Sequence, residues 1–91
     1  MKLQVYSVYD LKVSAYSAPF YAPNDSVAMR SFQQLKRDPN SQVFHFPGDF
    51  KLYRIGTFTD EDGFLQAEIP PAFVSNTSDL QPELKLHVMD E

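Results

Sequence analysis

The chain of 91 residues is long enough for one modest hydrophobic core and too short for two. It is 43% hydrophobic and 14% aromatic, which favours a folded domain, and it lacks cysteine, which excludes disulfides and thiolate metal sites. Its net charge of −4 argues at first sight against a nucleic-acid partner, and no apolar stretch approaches the roughly 20 residues of a membrane span. We therefore expect a soluble intracellular domain without membrane contact.

The first predicted element is a strand over residues 2–9, which are rich in Val, Leu and Tyr. The apolar alternation changes parity at Tyr6, so this strand is either covered on both faces or bulged at that point. Residues 13–23 contain two prolines, which exclude a continuous helix and argue against a paired central strand. We expect an extended surface loop there, whose aromatic rings either roof the core or meet a partner.

One helix is predicted, over residues 25–37. Good N-cap residues precede it, and the segment 38–41 contains a proline that ends it. Ala28, Phe32 and Leu35 recur at helical spacing, so they form the face that we expect to pack on the sheet.

A β-hairpin is predicted over residues 51–69, with a short acidic turn in which Gly63 takes the left-handed conformation. The two prolines at 70–71 predict the end of its second strand. Residues 72–81 then indicate a polar linker, and the alternation at 84–88 indicates a short C-terminal edge strand.

These elements predict an α+β fold in which a small antiparallel sheet of β-α-β-β order carries one helix packed on one face. The C-terminal edge strand would extend this sheet. We expect a single domain over residues 1–75, followed by an acidic segment over residues 76–91. Because so few strands leave open edges, and small sheets often pair such edges across a dimer, we also expect a homodimer.

No pattern of residues predicts catalysis, a cofactor or a metal. His45 and His87 are far apart and lack metal-ligand spacing, and the acidic run at 60–62 lacks the loop length and the glutamate of a calcium-binding EF hand. The three glycines form no phosphate-binding loop, and no serine is placed with a histidine and an acid in a known motif. We therefore expect a protein that is not an enzyme.

Basic and aromatic side chains are concentrated in the N-terminal part. Residues 1–56 hold seven basic side chains against four acidic ones, residues 57–91 hold one against eight, and eleven of the thirteen Phe and Tyr residues lie at or before Phe58. This combination is typical of surfaces that bind single-stranded nucleic acid, although an aromatic core would give the same composition. The residues that we predict as candidates for nucleic-acid binding are Lys2, Lys12, Tyr16, Phe20, Tyr21, Arg30, Lys36, Arg37, Lys51 and Tyr53.

Side-chain alternation along the first strand of the hairpin distinguishes two of its basic residues. Lys51 and Arg54 lie on opposite faces of one strand, so they cannot both contact the same ligand. Arg54 shares its parity with Leu52 and Phe58, which predicts a paired or partly buried side chain. Lys51 shares its parity with Tyr53, and that face is the predicted binding face. Cations at the end of the helix have a structural alternative, because they favour the helix dipole.

A series of short motifs points to a family. They are Met1-Lys-Leu-Gln-Val-Tyr-Ser-Val-Tyr-Asp-Leu-Lys12, Ala15-Tyr16, Pro19-Phe20, Ala28-x-Arg30-x-Phe32, Asp38-Pro39-x-Ser41 and Pro47-x-Asp49-Phe50-x-Leu52-Tyr53-x-Ile55-Gly56-x-Phe58. In order and spacing they resemble, over residues 1–65, the small nonstructural protein of gokushovirus-type microviruses, which are tailless phages with circular single-stranded DNA genomes. The resemblance implies a DNA-binding nonstructural protein that acts in single-stranded DNA synthesis or packaging, in the cytoplasm of a bacterial host. It implies no particular binding residues.

Two functions follow from these observations. The first is binding of single-stranded DNA without strong sequence preference, in phage genome replication or packaging. The second is a non-enzymatic adaptor that binds a host or viral replication protein and does not contact DNA. The acidic net charge favours the adaptor, whereas the basic and aromatic N-terminal part and the resemblance favour the DNA binder.

Overall fold

The computed structural model describes residues 1–77, which form an antiparallel sheet covered on one face by helices. In chain order the elements are β1 (Lys2–Asp10), β2 (Ala15–Tyr16), β3 (Phe20–Ala22), α1 (Asp25–Arg37), α2 (Gln42–His45), a 3₁₀ turn (Pro47–Asp49), β4 (Phe50–Thr59) and β5 (Phe64–Asn76). The predicted α+β class, with one main helix on a small sheet, is confirmed. The predicted strand at 84–88 lies outside the described residues.

Strands β1 and β4 form the centre of the sheet, whose order is β2-β1-β4-β5. Strand β3 also pairs with β1, on the same edge as β2 but further towards the start of β1. The expectation of an unpaired loop at residues 13–23 was wrong, because β2 and β3 both pair with β1 in antiparallel register. Both strands are short and avoid the prolines: Pro19 lies between them and Pro23 follows β3. A proline that stands outside the ladder removes none of its hydrogen bonds.

Strand β1 is buried on both faces at its middle, as one of the two sequence interpretations predicted. Val5, Tyr6, Ser7 and Val8 are all buried. The irregularity at this point belongs to β4, where Ile55 is an extra residue between the pair Val5–Gly56 and the pair Tyr6–Arg54.

The extra residue shifts the side-chain alternation of β4 by one, so odd-numbered residues before it and even-numbered residues after it point to the same face of the sheet. Lys51 and Tyr53 before the bulge, and Gly56 and Phe58 after it, all pair with odd-numbered residues of β1. The prediction that Phe58 shares a face with Arg54 was therefore wrong, because simple alternation does not hold across a bulge.

Strand β5 continues through the two prolines and ends at Asn76. The predicted stop at 70–71 and the predicted linker at 72–76 were therefore wrong. Four residues of β5, 68–71, stand opposite Ile55 alone, so the prolines occupy an irregular stretch where no regular pairing is interrupted. Gly63 in the β4–β5 turn has a φ of 73°, as predicted for a left-handed position.

Gly56 marks a close approach of β4 to β5. A Cβ atom at this position would lie 2.5 Å from the carbonyl oxygen of Gln66, well inside contact distance. The β4–β5 pairing therefore requires glycine here.

Helix α1 covers one face of the sheet and has the predicted bounds. The Asn24 side chain caps it by accepting a 3.0 Å hydrogen bond from the amide of Val27. Ala28 and Phe32 are fully buried against the strands, as predicted. The predicted burial of Leu35 was wrong: its side chain is 37% exposed and lines an open groove of about 400 Å³ beside α2.

Candidate nucleic-acid interface

The face of the sheet opposite α1, here called the open face, carries most of the exposed rings of the sheet. Even-numbered residues of β1 such as Tyr6 and Val8 pack with Phe32 of the helix in the core. Successive side chains of a strand point to opposite faces, so Tyr9 of β1 and its neighbour Tyr53 of β4 lie on the open face.

Four rings from four strands meet on the open face and form the aromatic cluster: Tyr9, Tyr16, Tyr53 and Phe73. The ring centroids are 4.7 Å apart for Tyr9–Tyr16, 5.7 Å for Tyr16–Tyr53 and 5.8 Å for Tyr53–Phe73. These pairs are tilted or edge-to-face, the arrangements that aromatic rings prefer. Tyr16 is 47% exposed and Phe73 is 52% exposed, so planar ligands can reach the cluster.

Lys51 provides a cation at the aromatic cluster. It pairs with Tyr9 across the β1–β4 ladder, and its Nζ lies 5.9 Å from the centroid of the Phe73 ring. This distance is within the range of a cation–π interaction. Exposed rings beside a cation are the combination found on single-strand binding surfaces, where bases stack on rings and phosphates contact Lys or Arg.

A second pair of rings lies further along the same face. Tyr21 of β3 and Phe58 of β4 are 5.8 Å apart in an edge-to-face contact. Beside them is a groove of about 280 Å³ with largely apolar walls, which include Val5 and Leu65.

The helix face of β4 carries an ionic network centred on Arg54. Its guanidinium donates two hydrogen bonds to Glu68, at 2.8 and 3.1 Å, and contacts both carboxylate oxygens of Asp25 at 3.1–3.2 Å. The Tyr6 hydroxyl donates to the same Asp25 at 2.7 Å. The prediction that Arg54 is paired and partly buried is confirmed, and the network joins the start of α1 to β1, β4 and β5.

The network also shifts the protonation of its members. Hydrogen bonding from Arg54 lowers the pKa of Glu68 below its usual value, and hydrogen bonding to Glu68 raises the pKa of Arg54. Burial, followed by the hydrogen bond to Asp25, raises the pKa of Tyr6. All three groups therefore keep their ordinary charge states at neutral pH, as a structural network requires.

Of the predicted binding residues, the structure brings Tyr16, Lys51 and Tyr53 together in one place, with Tyr21 on the same face. Phe20 is partly buried and stacks on the buried ring of Tyr6, with centroids 5.7 Å apart.

The predicted basic residues are spread around the molecule. Arg30, Lys36 and Arg37 are on α1, which covers the opposite face, and Lys36 Nζ donates to the Thr77 carbonyl at 3.2 Å. Lys2 is at the far end of β1, whereas Lys12 is in the turn that joins β1 to β2, at the end where Tyr9 lies.

Sequence reasoning missed three rings of the open face. Tyr9 is on the same parity as Val5 and Ser7, which would have been a usable signal. Phe58 was assigned to the opposite face because the bulge at Ile55 has no signal in the sequence. Phe73 was placed in a linker because of the prolines before it.

The described part of the chain contains neither a cluster of metal-ligating side chains nor a membrane-spanning helix. Among residues 1–77, no three His, Asp or Glu side chains lie close enough together to hold a metal ion. The Nε2 of His45 donates to the Pro39 carbonyl at 2.8 Å. No helix in this part is long and apolar enough to cross a membrane.

The fold and the site define a small α+β protein whose sheet is covered by a helix on one face and displays tyrosine and phenylalanine rings beside a lysine on the other. The chain belongs to the phage ORF5 protein family, whose model matches residues 3–80. The bacteriophage context that the resemblance implied is thereby confirmed. No curated protein and no solved structure matches the chain significantly.

Proposed function

We propose that this phage protein is a non-enzymatic binder of single-stranded DNA that acts without strong sequence preference, in genome replication or packaging in the cytoplasm of the bacterial host. The observation that carries the proposal is the aromatic cluster beside Lys51 on the open face. The resemblance to the nonstructural protein of gokushovirus-type microviruses supports it, since their genomes are single-stranded DNA.

The chemistry of the cluster favours unpaired bases. Every base has a flat π-face, so stacking on Tyr and Phe is tolerant of sequence and contributes about 1–3 kcal/mol per base. In a duplex the faces of the bases are stacked on one another and are not available to the cluster. We therefore expect a clear preference for single strands over duplex DNA of the same length.

The acidic net charge is compatible with this mode of binding. Stacking does not depend on a positive potential over the whole molecule, and Lys51 supplies a cation at the rings themselves. A basic groove along a phosphate backbone would need many more cations on one face. The proposed binder therefore relies on rings more than on charge.

The proposal is tested by titrating labelled oligothymidylate and a duplex of equal length with the full chain, at low and moderate salt. Replacing Tyr53 by Ala removes the ring that contacts three others in the cluster, and we expect a loss of affinity equivalent to about 1–3 kcal/mol. Phe44→Ala is the matched control, because this ring is 42% exposed but lies on α2. No measurable binding by the native chain, or equal losses in the two variants, would refute the proposal.

A second candidate function is the adaptor for a host or viral replication protein. The observation that favours it lies on the helix side, where the groove of about 400 Å³ is lined by Val8, Val13 and Leu35. Nearby, Phe44 of α2 and Phe46, the residue that follows this helix, are both exposed. Loss of phage production in a Phe46→Ser variant that still binds DNA normally would favour this function.

We also propose that the protein forms a homodimer through β5. Within residues 1–77, no strand pairs with the outer edge of β5, and Phe64 and Ile69 on this strand are 58% and 84% exposed. Antiparallel pairing of two such edges would cover these side chains. Sedimentation of the native chain and an Ile69→Lys variant tests it, and a native monomer at all concentrations would refute it.

A further inference from the structure

We infer that the open face holds a short row of consecutive nucleotides: the aromatic cluster takes the first bases, and the groove beside Tyr21 and Phe58 takes a further base. This inference rests on the proposed function and extends it by assigning a second base-binding position and a site length. The geometry that leads to it is the register of β1 with its neighbours.

The two sets of rings lie on the same face because of the bulge in β4. The odd-numbered residues of β1 define four successive positions along the open face. Tyr9 pairs with Lys51 and with Tyr16, and Ser7 pairs with Tyr53. Val5 then pairs with Gly56 and with Tyr21, and Leu3 pairs with Phe58. If Ile55 were paired with Val5 in regular alternation, instead of standing as an extra residue, Phe58 would point to the opposite face.

The spacing of these positions sets the length of the proposed site. Alternate residues of a strand are about 6.6 Å apart, so Tyr53 lies one step from the Tyr21 position, and the whole row from Tyr9 to Leu3 is about 20 Å long. A stacked single strand advances about 3.4 Å per nucleotide, so the row accommodates up to about six stacked nucleotides and fewer if the strand is extended. We therefore expect a site of about four to six nucleotides, at the short end of single-strand binding domains.

The groove has the shape and the chemistry for a base. Its volume of about 280 Å³ is smaller than the roughly 300–1,000 Å³ of pockets for drug-sized molecules, which suits a single base. Its walls are mostly apolar, and they include Val5, Pro19, Leu65 and Ala67, with Tyr21 at 49% exposure beside it. Val5 of this groove lies on β1 two residues from Ser7, which pairs with Tyr53, so a strand stacked on the aromatic cluster needs to advance only one position of the row to reach the groove.

The test is a series of labelled oligothymidylates of two to ten nucleotides, measured with the full native chain and with Tyr21→Thr. Threonine favours strands, so this change removes the ring while supporting β3. For the native chain we expect affinity to rise with length up to about four to six nucleotides and then to level off. For Tyr21→Thr we expect a loss of about 5- to 150-fold with six or more nucleotides and no loss with two.

The comparison with Tyr53→Ala separates this inference from the proposed function. Tyr53→Ala should weaken binding at every length, whereas Tyr21→Thr should shorten the site. A native plateau at two or three nucleotides, or a Tyr21→Thr variant that equals the native chain at every length, would overturn the second position while leaving the aromatic cluster in place. If Tyr21→Thr does not fold, Phe58→Leu carries the same comparison. Absence of binding by the native chain at every length would overturn the proposed function and this inference together.

Discussion

The salt dependence of the proposed DNA binding discriminates between the open face and the basic side chains of α1, which are Arg30, Lys36 and Arg37. For single strands, the logarithm of the binding constant falls with the logarithm of salt concentration by about 0.7 for each phosphate that a cation neutralises. The number of engaged cations is therefore measurable without a structure of the complex.

The structure places two cations at the end of the sheet where the aromatic cluster lies. Lys51 contacts the cluster, and Lys12 is in the turn after Tyr9. Two phosphate contacts predict a slope of about −1.4, so raising the salt from 50 to 200 mM should weaken binding only about 7-fold. If all six predicted basic residues took part, the slope would be about −4.2 and the loss about 300-fold.

The assay is fluorescence anisotropy with a labelled oligothymidylate at five or six salt concentrations. Lys51→Gln should reduce the slope to about −0.7, which corresponds to a loss of about 3-fold over the same salt range. Arg30→Gln is the matched control, because this exposed side chain is on α1, two residues from the buried Ala28 and Phe32. A slope steeper than about −3, or a larger change of slope in Arg30→Gln than in Lys51→Gln, would show that the DNA strand binds to the surface of α1. The assignment of DNA binding to the open face would then be wrong.

Three further predictions concern stability. Phe32→Ala should lower the free energy of unfolding by about 3–5 kcal/mol in urea titrations, because the ring is fully buried between α1 and the sheet, and an unchanged midpoint would contradict this packing. Gly56→Ala should cost about 1–3 kcal/mol, since its Cβ would meet the backbone of β5, whereas Gly48→Ala has no atom within 4 Å and should be neutral; equal melting temperatures would refute the close approach. Arg54 depresses the pKa of Glu68, so this ion pair stabilises the fold fully above the pKa that Glu68 has in the unfolded chain, and the stabilisation is lost as the pH falls through the lower folded value. Glu68→Gln should therefore make the free energy of unfolding fall less steeply with decreasing pH in the acid range. The same dependence on pH in the variant and the native chain would contradict the pairing.

The helix was predictable because its signals are local. Asn24 as a cap, Ala28 and Phe32 on one face, and a proline after the last turn each act within one or two turns of the chain. Leu35 was misplaced because helical spacing indicates which face a residue occupies, but it does not show how far the sheet extends beneath the helix.

The sheet was predictable where strands pair regularly and not where they bulge. The hairpin and the left-handed Gly63 followed from turn chemistry, and the separation of Lys51 from Arg54 followed from alternation. The extension of β5 to Asn76 could not be predicted, because prolines end a strand or pass through an irregular edge depending on the partner strand. The candidate site depends on both effects, so the sequence indicated its centre but not its extent.

The two faces of the sheet meet different physical demands, and this difference supports a binding role for the open face. Phe32 on the helix face is 0% exposed and gains the full stabilisation of burial, about 25 cal/mol for each Å² removed from water. Tyr16 and Phe73 on the open face keep about half of their surface in water, so they gain much less from folding, and exposed apolar patches promote aggregation. A ligand that covers these rings removes their apolar surface from water, so the complex gains the stabilisation that the free protein lacks. In the proposed binder the acidic net charge would add selectivity, because it weakens attraction to any polyanion and leaves stacking, which only unpaired bases offer, as the interaction that decides binding.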